Sequence, residues 1–232
     1  MHGYAALVPK SDPGFDEPVV GLAAQCQVPF PEVFRAFAGR ALTWWPEFGV
    51  GYYPAEGARY DDAYYRKYVE YAATGLGHRL TTARVEFVAR HWAGGVVDVG
   101  IGCGAFVASR PRTLGYDINP LGVAWLRAAN RFADPYLGCD AITLWDVLEH
   151  IADFEKLLAG VRKCVFVSLP VFTDAEHVLR SRHFRRDEHF WYFTTEGLVA
   201  VMDSLGWKCE ETNREETTLG RDSIGSFAFR RL

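Results

Sequence analysis

Eight residues, Val97-Asp98-Val99-Gly100-Ile101-Gly102-Cys103-Gly104, constrain this chain more than any other segment. An apolar run with strand character ends in a turn of three glycines, and an acid stands two residues before the first. Glycine permits left-handed torsions and lets a ligand approach where a Cβ would collide. A second acid, Asp117, follows in Gly115-Tyr116-Asp117-Ile118-Asn119, at the expected tip of the next strand. Together they predict a pocket for an adenosine-bearing cofactor at the carboxyl ends of parallel strands.

The pattern around this turn alternates. Strands are expected at Val96–Val99, Leu114–Ile118, Ala141–Trp145 and Cys164–Leu169, with helices opening at Ala105 and spanning Pro120–Phe132 and Phe154–Val161. A helix over Leu198–Leu205 and strands at Trp207–Thr212 and Ile224–Phe229 close the chain. Such alternation gives an α/β fold with a doubly wound, mostly parallel sheet. Seven strands are expected, or six, because the one between Phe132 and Asp140 is very short or missing.

Residues 60–92 read as two helices broken near Gly75 and Gly77. Asp61 is placed to cap the first, and Tyr64, Tyr68 and Tyr71 recur at helical spacing. The spacing alone fits core packing or ligand contact. Residues 1–58 form an aromatic-rich N-terminal extension, with a short helix near Pro31–Ala41 and otherwise irregular structure. It reads as a segment packed on the domain 59–232 or as a cap over a substrate pocket.

A net charge of −4 gives no basis for non-specific nucleic-acid binding. No apolar run is long enough to span a bilayer, and the start of the chain lacks a secretion signal's pattern. Five scattered cysteines, Cys26, Cys103, Cys139, Cys164 and Cys209, have neither zinc-ribbon spacing nor a disulfide framework. They read as reduced thiols of a cytoplasmic protein.

Gly100-x-Gly102-x-x-Ala105 also fits a loose dinucleotide fingerprint, in which Asp117 would hold a ribose of NAD. Asp98 points elsewhere, since that strand position suits the holding of a charged amino-acid ligand. Val97–Phe106 resembles the first motif of class I S-adenosylmethionine-dependent methyltransferases, and Gly115–Pro120 their second. Ala141–Ile151 is similar to the fourth motif in its ubiquinone-biosynthesis-like form, and Val165–Pro170 to the strand that follows. His189-Phe-Trp-Tyr-Phe-Thr194 with Gly206-Trp207 resembles a late pattern of that subgroup. The resemblance covers about residues 60–230 and implies a Rossmann-like methyltransferase fold with S-adenosylmethionine as cofactor. It implies that Gly100, Ile101, Gly102, Gly104 and Phe106 wrap the methionine part and ribose, and that Asp98 sits near the amino group. Asp117 would take both ribose hydroxyls, with Ile118, Asn119 and Trp145 flanking the nucleoside.

Methyl transfer to oxygen needs alignment, exclusion of water and a base. Asp146, His150 and His189 are the candidates near the acceptor. Asp146, Glu149 and His150 stand at i, i+3 and i+4, so a helical turn would put them on one face. No resident metal is expected. Were a divalent ion bound, as in small-RNA 2′-O-methyltransferases and certain ubiquinone O-methyltransferases that the motif resembles, Asp146, Glu149, His150 and His189 would be its ligands. Arg180, Arg182, Arg185 and Arg186 cluster with His183 as a solvated loop or a clamp for an acidic acceptor. The expected function is methyl transfer to a small-molecule or sugar acceptor, at oxygen. The alternatives are a metal-assisted RNA 2′-O-methyltransferase, an NAD-dependent oxidoreductase and a non-catalytic binding protein.

Overall fold

A computed structural model describes residues 30–57 and 60–232 of the chain. A short helix, α1 (Phe30–Phe37), leads into a hairpin of β1 (Thr43–Trp45) and β2 (Val50–Tyr52). This hairpin corrects the expectation of irregular structure after the first helix. Two helices follow, α2 (Asp62–Ala72) and α3 (Gly75–His91). Asp61 caps α2 by accepting the Tyr64 N–H at 2.9 Å, and Thr74 caps α3 by accepting from Gly77. Gly77 is required there because a Cβ would lie 2.3 Å from the Tyr71 carbonyl oxygen, so the two helices could not meet.

The alternating part then runs β3 (Val96–Val99), α4 (Ala105–Ser109), β4 (Thr113–Tyr116), α5 (Pro120–Ala128), β5 (Cys139–Trp145), α6 (Phe154–Ala159) and β6 (Val161–Pro170). After α7 (Ala175–Arg180) come β7 (Trp191–Phe193), α8 (Thr195–Ser204), β8 (Trp207–Asn213), α9 (Glu215–Thr218) and β9 (Ile224–Arg231). Six strands form one sheet in the order β4-β3-β5-β6-β9-β8. The first four are parallel, and β9 runs antiparallel between β6 and β8. The fold is the expected Rossmann-like one in its six-stranded form. The missing seventh strand survives as a single parallel bridge between Gly115 and Phe132. Helix α5 ends at Ala128 rather than Phe132, because Asn130 turns to positive φ and frees the chain to make that bridge.

Strand β6 lies at the centre and is buried from Cys164 through Pro170, as a strand covered on both faces should be. Its own Phe166 is fully buried, as are Leu144 and Ile142 of β5 and Phe227 and Phe229 of β9 on either side. Burial of each such side chain contributes about 1.5–3 kcal/mol.

A second, three-stranded antiparallel sheet, β1-β2-β7, joins the N-terminal hairpin to the segment after β6. Val50 pairs with Phe193 and Tyr52 with Trp191. Arg35 of α1 adds a double hydrogen bond to the buried Glu155 of α6. Residues 30–57 are thus stitched onto the domain. Cys103, Cys139, Cys164 and Cys209 are free thiols, whereas Cys26 lies outside the described residues. No helix among the described residues is long and apolar enough to cross a membrane.

Candidate active site

The carboxyl ends of β3, β4 and β5 open into two adjoining cavities. The first is lined by Gly100, Gly102, Asp117, Ile118, Asn119, Trp145, Asp146 and His150, and by six tyrosines that include Tyr60, Tyr64, Tyr65 and Tyr68. The second reaches under the glycine turn to Asp98, Ile101 and Phe106, and on to Glu149, His183, Arg185 and His189.

All three glycines of the turn have positive φ: 70° at Gly100, 54° at Gly102 and 82° at Gly104. At Gly102 a Cβ would stand 3.3 Å from the Tyr68 ring, so the ring would have to shift to admit it. At Gly100 a Cβ would strike Val147 at 2.5 Å, although the residue still lines both cavities. Gly104 lines neither. It caps α4 against the Trp125 ring, which a Cβ would meet at 2.7 Å. Torsion and packing by themselves require a glycine at this position.

Asp117 crosses the mouth of the first cavity and accepts the Asn119 N–H at 2.7 Å. Burial raises its pKa, while the backbone N–H groups of Asn119, Ile118, Ile101 and Gly102 pull the other way. Asn119 itself is buried; its side-chain oxygen caps α5 through Leu121 N–H and its amide reaches the Asp61 carbonyl at 3.4 Å. Ile118 is 66% exposed, an apolar face standing at the opening. Asp98 is buried and accepts the Thr143 hydroxyl at 2.6 Å. Burial pushes its pKa up to about 7, against that hydrogen bond. Trp145 packs edge-on to Phe106 at 5.4 Å, and its buried indole N–H has no partner.

The transfer end is built by cross-linking two distant segments. Phe190 N–H donates to the Glu149 carbonyl at 2.8 Å, and the Trp191 indole donates to the Ile151 carbonyl at 3.1 Å. The N-terminal hairpin braces the same segment, with Tyr53 N–H donating to the Phe190 carbonyl at 2.8 Å. These bonds set the His150 and His189 rings edge to face, with centroids 4.5 Å apart. Glu149, His150 and His189 each offer a ligand atom, all within 4.8 Å of one another.

Asp146 does not join them. Leu148–His150 is a single 3₁₀ turn preceded by Asp146 at φ 58°, so the expected helical face does not form. Arg221 bonds both Asp146 carboxylate oxygens at 2.9 Å, and Arg84 reaches one at 3.2 Å. Burial works to raise the Asp146 pKa, but the two guanidiniums overcome it and hold the carboxyl well below its ordinary range. Glu216 completes the network by binding both arginines. Glu149 is the opposite case. It is 2% exposed, neither carboxylate oxygen has a partner, and burial followed by the Asp146 charge raises its pKa strongly. Burial also lowers both imidazoles, His189 to about 2.

With the geometry in place, a family profile described as "Methyltransferase domain" matches residues 65–212, well over half of the chain. The chain belongs to the methyltransferase-domain family. This membership displaces the dinucleotide reading of the glycine turn. No curated protein matches this methyltransferase in sequence. Solved structures share its fold. One is magnesium protoporphyrin IX methyltransferase from Synechocystis PCC 6803 with bound S-adenosylhomocysteine, at TM-score 0.54 and 13% identity, covering 75% of this chain and 96% of that one. Another is an S-adenosylmethionine-dependent methyltransferase from Thermotoga maritima, at TM-score 0.53 and 14% identity, covering 73% and 97%.

Sequence reasoning left Tyr64 and Tyr68 open between core packing and ligand contact, and with Tyr60 and Tyr65, which it did not single out, they line the first cavity. Arg84 and Arg221 gave no signal in the sequence, since they stand 62 and 75 residues from Asp146. Of the basic cluster, His183 and Arg185 line the second cavity, whereas Arg180 pairs with Glu176 on the surface. Among the described residues 30–57 none lines either cavity, while Tyr53 N–H braces the segment that carries His189.

Proposed function

We propose that this methyltransferase transfers the methyl group of S-adenosylmethionine to an oxygen of a small-molecule acceptor, with His150 as the base. The residues present fit that donor. A carboxylate on Asp117 can accept from two ribose hydroxyls, the positive-φ turn at Gly102 brings bare backbone to the cavity wall, and Trp145, whose buried indole N–H has no partner, lines the same cavity. Ile101, Gly100, Phe106, Ile118 and Asn119 complete the walls, and Asp98 lies beneath the turn for an ammonium group. The bound donor supplies an electrophilic methyl carbon.

One observation carries the choice of oxygen. His150 Nδ1 lies 3.1 Å from the Glu188 carbonyl, which only accepts, so Nδ1 carries the proton and Nε2 keeps its lone pair. Burial keeps the ring neutral. A neutral imidazole with a free nitrogen, lining the donor cavity, is a base for a hydroxyl proton. His189 packs edge-on and holds the ring's orientation. Asp146, with both oxygens committed to arginines, shapes the turn and takes no proton. The division into an extension at 1–58 and a catalytic domain at 59–232 belongs to the same reading.

A second reading rests on the unpartnered Glu149. With His150 and His189 it forms a mixed oxygen and nitrogen donor set suited to a divalent ion with open positions. Such an ion supplies Lewis-acid polarisation of an acceptor oxygen, as a metal-assisted 2′-O-methyltransferase of RNA would use. The deciding experiment incubates the protein with isotopically labelled donor and a metabolite extract or short RNAs, with and without EDTA. Label in a small hydroxylated molecule that persists in EDTA is the expected result. Label only in RNA, abolished by EDTA, makes the second reading the function.

A further inference from the structure

We propose that Tyr60, Tyr64 and Tyr68 form an aromatic wall that reads positive charge, so that the protein prefers the sulfonium donor to its neutral spent product. The inference rests on the reading of S-adenosylmethionine as donor.

The wall follows from the construction of α2. This helix has no fully buried residue, so its tyrosines are not ordinary core. Tyr64 and Tyr68 stand four apart on one face of the helix, and Tyr60, just before the Asp61 cap, packs on Tyr64. The rings of Tyr60 and Tyr64 meet edge to face at 5.0 Å, and those of Tyr64 and Tyr68 lie 5.0 Å apart. The Tyr64 and Tyr68 hydroxyls are hydrogen-bonded at 3.1 Å. All three rings line the cavity that also holds Asp117 and His150. Tyr68 lies directly against the Gly102 backbone. The cap at Asp61 and its tie to Asn119 hold the helix over the glycine turn.

The charges around this wall make it the place where a cation finds a partner. Asp146 is already shared by Arg84 and Arg221. Glu149 is buried and lines the neighbouring cavity, not this one. Asp117 is engaged by backbone N–H groups, and Asp98 lies beneath the turn on Thr143. Glu188, the further carboxylate whose charge reaches all three tyrosines, is paired with Arg185 at 3.0 Å. The electron-rich ring faces and phenol oxygens are the remaining source of negative potential, and desolvated rings attract onium groups by cation–π interaction. Loss of the methyl group removes the charge, so the spent product forfeits this attraction and leaves more readily.

The test is calorimetric titration of the full chain with S-adenosylmethionine and S-adenosylhomocysteine. The wild type should favour the charged ligand by about fivefold or more. Tyr64→Leu should bring the two affinities together, chiefly by weakening the charged ligand, and Tyr64→Phe should keep the preference because the ring face remains. A wild-type ratio at or below one, or equal weakening of both ligands in Tyr64→Leu, overturns the proposal. Should Tyr64→Leu lose its circular-dichroism melt, Tyr60→Leu is read by the same ratio. Binding of neither ligand by the wild type overturns the donor reading and this inference with it.

Discussion

The Glu188 carbonyl oxygen, 3.1 Å from His150 Nδ1, decides which nitrogen of the ring is free. That contact exists because Phe190 N–H is bonded to the Glu149 carbonyl, so the late segment lies along the turn that carries His150. The ring's proton is fixed on one side and its lone pair is left for the acceptor.

His150→Ala is therefore expected to lower kcat by about 10²–10⁴-fold while S-adenosylhomocysteine binds as before. The pH profile follows from the sign of the shift. Burial lowers the ring below its ordinary 6.5, so the base is protonated and inactive only on the acid side of that value. Activity should rise through the lowered pKa and stay level across pH 7–8. Steady-state kinetics against pH, with calorimetry for the ligand, checks both parts.

Asp117→Ala should weaken binding of S-adenosylhomocysteine by about 10–100-fold, as expected for loss of charge-assisted bonds to two hydroxyls. Asp117→Asn should fall between, since an amide keeps one acceptor oxygen. Affinity unchanged in the alanine variant would remove Asp117 from the donor site.

Much of the sheet was legible because its strands are apolar runs bounded by glycine and proline, as at Val96–Val99 and Cys164–Pro170. The seventh strand was visible as a gap, and the bridge at Phe132 shows how little of it remains. The hairpin of β1 and β2 was not legible. Its strands have three residues each, and their pairing depends on β7, some 140 residues later in sequence. Asp146 was misplaced for a related reason. Spacing of i, i+3 and i+4 presumes a helix, but two distant arginines capture the carboxylate and the chain turns at positive φ instead.

Arg221→Met should cost about 3 kcal/mol of stability, because it strands the Asp146 and Glu216 carboxylates beside a single arginine. Asp146→Asn in the same chain should recover part of that loss, since the orphaned charge is gone and asparagine tolerates the left-handed backbone. Denaturant unfolding of the single and double variants measures the coupling.

EDTA should leave turnover and Tm unchanged, and Glu149→Gln should stay active, if the neutral buried carboxyl only fills space beside the imidazoles. Loss of activity in both, with restoration of the wild type by added divalent metal, would transfer the function to the metal-assisted reading.

Asp98 gives a stability prediction with a definite sign. Its folded pKa stands near 7 because burial outweighs the bond from Thr143, while the unfolded value is about 3.9. Below about pH 3.9 both states hold the proton and the stabilisation is fully present. As pH rises, the unfolded chain ionises first, so stability falls until the folded pKa is passed. The whole loss is of order 4 kcal/mol. Asp98→Asn removes this contribution, so its stability should decline less steeply from pH 4 to 7 than that of the wild type. Donor binding should also release a proton below pH 7, because an ammonium beside Asp98 favours the ionised carboxyl. Calorimetry in buffers of different ionisation enthalpy detects that proton, and Asp98→Asn should abolish it.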